Sequence, residues 1–329
     1  MKKVIIIVGH LLIIGCSEDT ITGNQSPFTE VVFVLCEGTM DYNNASLHTL
    51  NENALSYITG DTGSSIAQYN NQLLVVNNVS SNIVIYTISS EGILEDSSTI
   101  DLNGSGPREI IVINEKAYVT QALAKNIAVI DLNTMEVINY IILNGSPEDL
   151  TTDNSSLFTT IMYIDYNNGW DGLNQVAQIN LTTNEIDTTY EVQISPKNIE
   201  YNDQKLYITS YTSTSIIDLS TKTVQTVNNI DFNYGLDIST YNGSIYRVYD
   251  KGIISMDNEL NLLNETYIGA VTENTIYSMA INDDLIYLGV TDDYQSPDSV
   301  FVLNFEGDEI SRYEINGASP GSFAFWKSE

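Results

Sequence analysis

Histidine and basic residues are scarce in this 329-residue sequence, and the scarcity removes whole classes of chemistry. Only His10 and His48 are present, so a Ser–His–Asp triad, a histidine-based metal site and a histidine acid–base pair all lack material. Twelve Lys+Arg face 43 Asp+Glu, a formal charge of -31, and a surface of that sign repels phosphate backbones; no nucleic-acid partner is expected. No glycine-rich loop leads from a strand into a helix, so nucleotide binding by that route has no support, and no motif calls for a cofactor. No stretch sustains a helical period with caps at both ends. The 6 prolines, the 21 tyrosines and the abundance of Ile, Val and Thr favour strands instead. With 43% hydrophobic residues the chain has ample material for a core, which excludes wholesale disorder.

A membrane-spanning run is also missing. The start, MKKVIIIVGHLLIIGC, has a basic tip at Lys2 and Lys3 and an apolar run from Val4 to Ile14, interrupted by Gly9 and His10. That is shorter than the roughly 20 apolar residues a spanning helix needs, and it has the layout of a secretory signal peptide. Ile13-Ile14-Gly15-Cys16 resembles the bacterial lipobox, and the resemblance implies a signal peptide over residues 1–15, lipid on Cys16 and membrane attachment through it. Residues 16–30 then read as a polar tether. The acidic Ser17-Glu18-Asp19 resembles the signal that sends some lipoproteins to the outer face of the outer membrane, with the periplasmic side the other address. Cys36, in the apolar run VVFVLC, would have no disulfide partner once Cys16 is acylated, and buried core is its expected role.

Against these absences stands a repeat. Gly106-Pro107, Ser146-Pro147, Ser195-Pro196 and Ser319-Pro320 each open a short strand, followed by a tight polar turn, an apolar strand, a loop, a second apolar strand, a turn and a more amphipathic strand. From Pro107 this reads REIIVI, KAYVTQ, NIAVIDL and EVINYIIL. Four antiparallel strands in about 40 residues make a β-propeller blade. Turns at Asn70-Asn71, Asn202-Asp203, Asn242-Gly243 and Asp283-Asp284 use residues that tolerate left-handed backbone. Strand pairs give six complete units after residue 64. The seventh must combine residues 31–58 with GSFAFWK at 321–327, which hides the sheet edges. Residues 31–329 are thus expected to form one all-β, seven-bladed β-propeller, its ring closed by joining N-terminal strands with the C-terminal strand. Each blade would use about 43 residues.

The units ending in Ala128-Val129-Ile130-Asp131-Leu132 and Ser215-Ile216-Ile217-Asp218-Leu219 resemble YVTN-type propeller repeats. The opening VFVLCEGTMDYNNASLHTLN at 32–51 is similar to the first blade of YncE-like surface lipoproteins, with Cys36 where that phrase carries Asn. This resemblance implies a non-catalytic binding lipoprotein that captures a ligand such as cobalamin for a TonB-dependent outer-membrane transporter. A glycan, a peptide or a protein fits the same residues. A lactonase-like hydrolase with an axial divalent metal and an adhesive propeller binding another surface protein are the competing readings. A monomer is expected, and no resident metal.

Three loops are long, from Gly38, from Met162 and from Thr291, and they fall on the face shared by the connections between blades. They carry Asp41, Tyr42, Tyr163, Asp165, Tyr166, Trp170, Asp171, Asp292, Asp293 and Tyr294. Aromatic rings with polar handles give large contact area at low entropy cost, so these are the expected ligand contacts. Blade-opening Arg108, Glu148 and Lys197 lie on the same face and would add hydrogen bonds. The carboxylate pairs Asp283-Asp284 and Asp292-Asp293 leave calcium open, although Asp in hairpin turns also serves the backbone.

Overall fold

The computed structural model describes residues 30–51, 55–165, 171–211, 213–227, 237–249, 252–263, 267–269, 271 and 275–328. Cys16, the leader, the tether, Tyr166 and Trp170 lie outside the described residues.

All regular structure among the described residues is β, arranged as seven antiparallel sheets. Blade 1 consists of Pro320–Lys327, Glu30–Cys36, Ala45–Thr49 and Ser56–Gly60, in that order from the axis outward. The expected closure therefore holds: the C-terminal strand pairs antiparallel with the first strand, from Glu30 opposite Lys327 to Cys36 opposite Pro320. Blades 2 to 5 and blade 7 span residues 63–101, 107–142, 146–191, 199–227 and 275–314, each with four strands. Blade 6 shows three among the described residues, Ile238–Tyr241, Ser244–Tyr249 and Gly252–Met256. Isolated bridges Ile253–Ile268 and Met256–Leu262 mark where its outer edge is covered.

Alternation along the strands builds the ring. In Gln72–Asn77, Leu73 and Val75 pack with Phe33, Leu35 and Leu47 of blade 1, whereas Leu74 and Val76 point the other way and pack with Ile110, Ala117 and Val119 of blade 3. Successive strand residues face opposite sides, so each blade wets neither face and contributes to two cores. Among the described residues seven apolar clusters result, one at each junction, the last joining Tyr287, Val300 and Val302 of blade 7 to Val34, Cys36 and Leu50 of blade 1. Cys36 is a buried free thiol in this last junction, and burial pushes its pKa up.

The hairpins joining the first and second strands of blades 3, 5, 6 and 7 turn on two residues with positive φ: Asn114-Glu115, Asp203-Gln204, Asn242-Gly243 and Asp283-Asp284. Such turns match the right-handed twist of the strands they join. In blade 5 the turn sits one residue later than the sequence suggests, because Asn202 still pairs with Lys205. An antiparallel four-strand meander starts its innermost strand, turns from second to third strand, and leaves for the next blade all on one face.

Candidate functional site

Counting along the innermost strands reveals a register shared by all blades. The residue after each opening proline is Arg108, Glu148, Lys197 or Gly321, and Ser64 and Tyr277 occupy the matching place in blades 2 and 7. These six residues, with Glu37, line a cavity of about 120 Å³ at the axial mouth. The next residue along is Ser65, Glu109, Asp149, Asn198, Asp237, Ser278 or Ser322, polar in every blade.

This second position brackets neighbouring blades. Ser322 accepts the Ile66 N–H at 3.2 Å, Asp149 accepts the Ile199 N–H at 2.8 Å, and Asp237 accepts the Met279 N–H at 2.8 Å. In each case a side chain of one blade satisfies the same backbone donor of the blade after it. Asn198 donates to Asp237 Oδ1 at 3.1 Å, and Ser65 donates to Glu109 Oε1. Thr120 and Thr160 on the second strands hold the register from outside, donating to the carbonyls of Glu148 and Lys197, both at 2.9 Å.

The walls thus carry five carboxylates, Glu37, Glu109, Glu148, Asp149 and Asp237, against two cations, Arg108 and Lys197. Burial would raise Glu148, but the charge and hydrogen bonds of Arg108, with Lys197 beyond, pull it below the usual range. Burial pushes Glu109 up to about 7, opposed by the Ser65 and Ile110 hydrogen bonds and reinforced by the Asp237 and Glu148 charges. Asp149 is raised by burial and by Glu109, and Asp237 by burial against the pull of Met279, Lys197 and Asn198. Tyr277, raised well above its ordinary range by burial, donates to Glu37. The mouth therefore mixes ionised and proton-holding acids with two cations inside one small cavity. Among the described residues no group of three or more His, Cys, Asp or Glu is placed to hold a metal ion.

The sequence-nominated residues divide. Arg108, Glu148 and Lys197 converge on the axial cavity. Tyr294, in a left-handed conformation with φ of 63°, sets its ring edge-on to Tyr277, centroids 5.9 Å apart, and so reaches the rim. A bulky residue in that conformation is uncommon, and Asp293 holds the loop there by accepting the Gln295 and Ser296 N–H groups. Asp292 is exposed in the same loop. Tyr42 is 73% exposed on the face, and Asp41 is fastened by its N–H to Asp61. Asp165 pairs with Lys125 at 2.9 Å, tying the loops of blades 3 and 4, and Asp171 is exposed where its carbonyl accepts the Ile164 N–H. Tyr163 departs from its loop assignment: it is a buried residue of the strand Ser156–Tyr163, opposite Gly172, because the second strand of blade 4 runs on into the expected loop. Glu37, Glu109, Asp149, Asn198, Asp237 and Tyr277 were not singled out from sequence, although a polar residue two places after each opening proline was a readable signal.

No known family matches the sequence, and no curated protein does. Among solved structures, a candidate 6-phosphogluconolactonase from Bacteroides fragilis superposes over 90% of this chain and 98% of its own, with 12% identity and a TM-score of 0.66. A quinoprotein alcohol dehydrogenase-like protein from Bacteroides thetaiotaomicron matches over 90% of this chain and 77% of its own, with 14% identity and a TM-score of 0.61. A computationally designed protein, Ika8, reaches a TM-score of 0.61 at 8% identity. Likeness at these identities establishes the propeller fold and carries no activity with it.

Proposed function

We propose that this chain is an exported, membrane-anchored binding propeller that takes a small ligand at its axial mouth. The observation that carries the reading is the convergence of polar side chains from the innermost strands on one cavity, with Arg108, Lys197, Asn198 and Tyr277 offered beside five carboxylates, three of which, Glu109, Asp149 and Asp237, are pushed by burial toward the protonated form. A concave site with a few convergent polar groups and shifted pKa values is where ligands bind. The leader-like start and Cys16 support the export and lipid part, with delivery to an outer-membrane transporter as its widest form. Cobalamin is far larger than a cavity of about 120 Å³ and would have to rest on the surrounding loops, with only a polar edge entering the axis.

Equilibrium titration of the purified protein with neutral sugars, sugar acids, lactones, amines and cobalamin tests this reading. It requires one class to bind saturably at one site per chain and to lose tenfold or more in affinity in Lys197→Met. Binding that ignores Lys197→Met would move the site away from the axis.

One observation favours a second, catalytic reading. Burial pushes Glu109 up to about 7 in the same cavity as Lys197, and a carboxylate raised toward the working pH suits general base catalysis. The candidate lactonase among the superposed structures points to esters of the lactone class as the first substrates to try. Steady turnover of a lactone, abolished in Glu109→Gln while ligand affinity is retained, would establish this reading over the first.

A further inference from the structure

The axial cavity has a neighbour on the same face. A second cavity, of about 220 Å³, lies against it and has apolar walls built from Met40, Val79, Ala122 and Leu123, with Gly104 and Gly106 between them. Arg108 belongs to the walls of both cavities. The apolar walls come from the loops between the second and third strands of blades 1, 2 and 3. Met40 is 60% and Val79 36% exposed, so two large apolar side chains stand in water at the rim. Gly104 leaves open space, since a Cβ there would meet nothing within 4 Å. Gly106, at φ +63°, would drive a Cβ into Leu123, so any other residue would displace that wall. Neither cavity alone reaches the roughly 300 Å³ at which small-molecule sites begin, and together they pass it.

The polar half shows what kind of head group it lacks. The Lys197 charge helps hold Glu148 low and opposes the rise that burial gives Asp237, yet its ammonium makes no hydrogen bond or ion pair among the described residues. Its neighbour Asn198 is fixed by Nδ2 donating to Asp237, and that leaves Oδ1 without a donor. The wall thus offers a donor at Lys197 beside carboxylate acceptors at Glu37 and Asp237, and hydroxyl groups, which donate and accept, answer both. Arg108 and Glu148 already oppose each other, so a neutral head avoids the desolvation cost that a further buried charge would add.

We infer that the ligand is a neutral amphiphile whose hydroxyl-bearing head enters the axial cavity while its apolar group lies between the loops of blades 1 to 3, the chemistry of a glycoside of an apolar alcohol. The inference rests on the axial mouth being the binding site. It makes Arg108, which lines both cavities, the divider between the two halves of one site.

Calorimetric titration with methyl and octyl β-D-glucopyranoside, the latter below its micellar concentration, tests it on protein purified from cells expressing the full chain. The octyl glycoside should bind at least tenfold more tightly than the methyl glycoside. The double variant Met40→Glu/Val79→Glu should erase that difference and leave the methyl glycoside's affinity unchanged. Equal affinity of the two glycosides in the parent would overturn the amphiphile while leaving the axial site standing. Failure of both to bind would overturn it too, and the wider panel then reports separately on the axis. Octyl binding that persists in the double variant would mean surface adsorption and would also overturn it.

Discussion

Arg108 Nη2 lies 2.5 Å from Glu148 Oε1 and its Nε lies 3.2 Å from Oε2, a two-point pair that joins blade 3 to blade 4 at the axial mouth. The Glu148 side chain is 10% exposed, so loss of its partner strands a buried carboxylate. Arg108→Met should destabilise the protein by about 3 kcal/mol at neutral pH, and adding Glu148→Leu should return most of it. The pH dependence has a definite sign. Glu148 is depressed in the folded protein, so the pair's contribution is complete above the unfolded value of about 4.3 and is lost as pH falls through the folded value. Urea denaturation of parent, single and double variants at neutral pH and near pH 3 measures both effects, and the deficit of Arg108→Met should shrink in acid.

The fold was readable because its determinants are local and repeated. Four openers, Gly106-Pro107, Ser146-Pro147, Ser195-Pro196 and Ser319-Pro320, fix the start of a blade, and Asn and Asp in two-residue turns fix the hairpins. Ring closure followed from elimination, since GSFAFWK had no other sheet to join. The site was half readable. Arg108, Glu148 and Lys197 stood out by charge at a repeated place, whereas Tyr277 follows no proline and was passed over. Asp149 is raised by burial and by Glu109, 40 residues earlier and one blade away, and Glu109 by burial and the charges of Asp237 and Glu148, which no local pattern encodes. Tyr163 was misplaced because an aromatic beside polar residues reads as a loop when the register of Ser156–Tyr163 against Gly172–Asn180 is unknown.

Glu200, on the innermost strand of blade 5, should make stability fall as pH rises. Burial pushes its carboxyl up to about 7 although Thr240 donates to it at 3.0 Å. Between the unfolded value of about 4.3 and the folded value, the native state holds a proton that the unfolded chain has lost, which costs up to about 1.4 kcal/mol per pH unit. Glu200→Gln should flatten that slope, and denaturation midpoints at pH 5, 6 and 7 for parent and variant report it. Parallel curves would show that Glu200 titrates normally.

Trp326 tests ring closure. It is 2% exposed in the cluster between blades 1 and 2, and its Nε1 donates to Asn71 at 3.2 Å. Trp326→Ala should cost about 3 to 5 kcal/mol, and removal of residues 321–329 should abolish cooperative unfolding altogether. A truncated chain that unfolds cooperatively at the parental temperature would mean that blade 1 closes without its inner strand.

Cys16→Ala should abolish incorporation of labelled fatty acid while leaving the denaturation midpoint of the mature propeller unchanged, because the residue precedes the first strand at Glu30. Equal labelling of the variant would remove the lipid anchor from the account.

The most direct measurement of the central claim is a crystal structure with whichever panel member binds most tightly. The account predicts that a ligand oxygen lies within hydrogen-bond distance of Lys197 Nζ, between Arg108 and Tyr277 at the axial mouth. Ligand found only on the outer loops around Tyr42, with the axial cavity holding nothing but water, would contradict it.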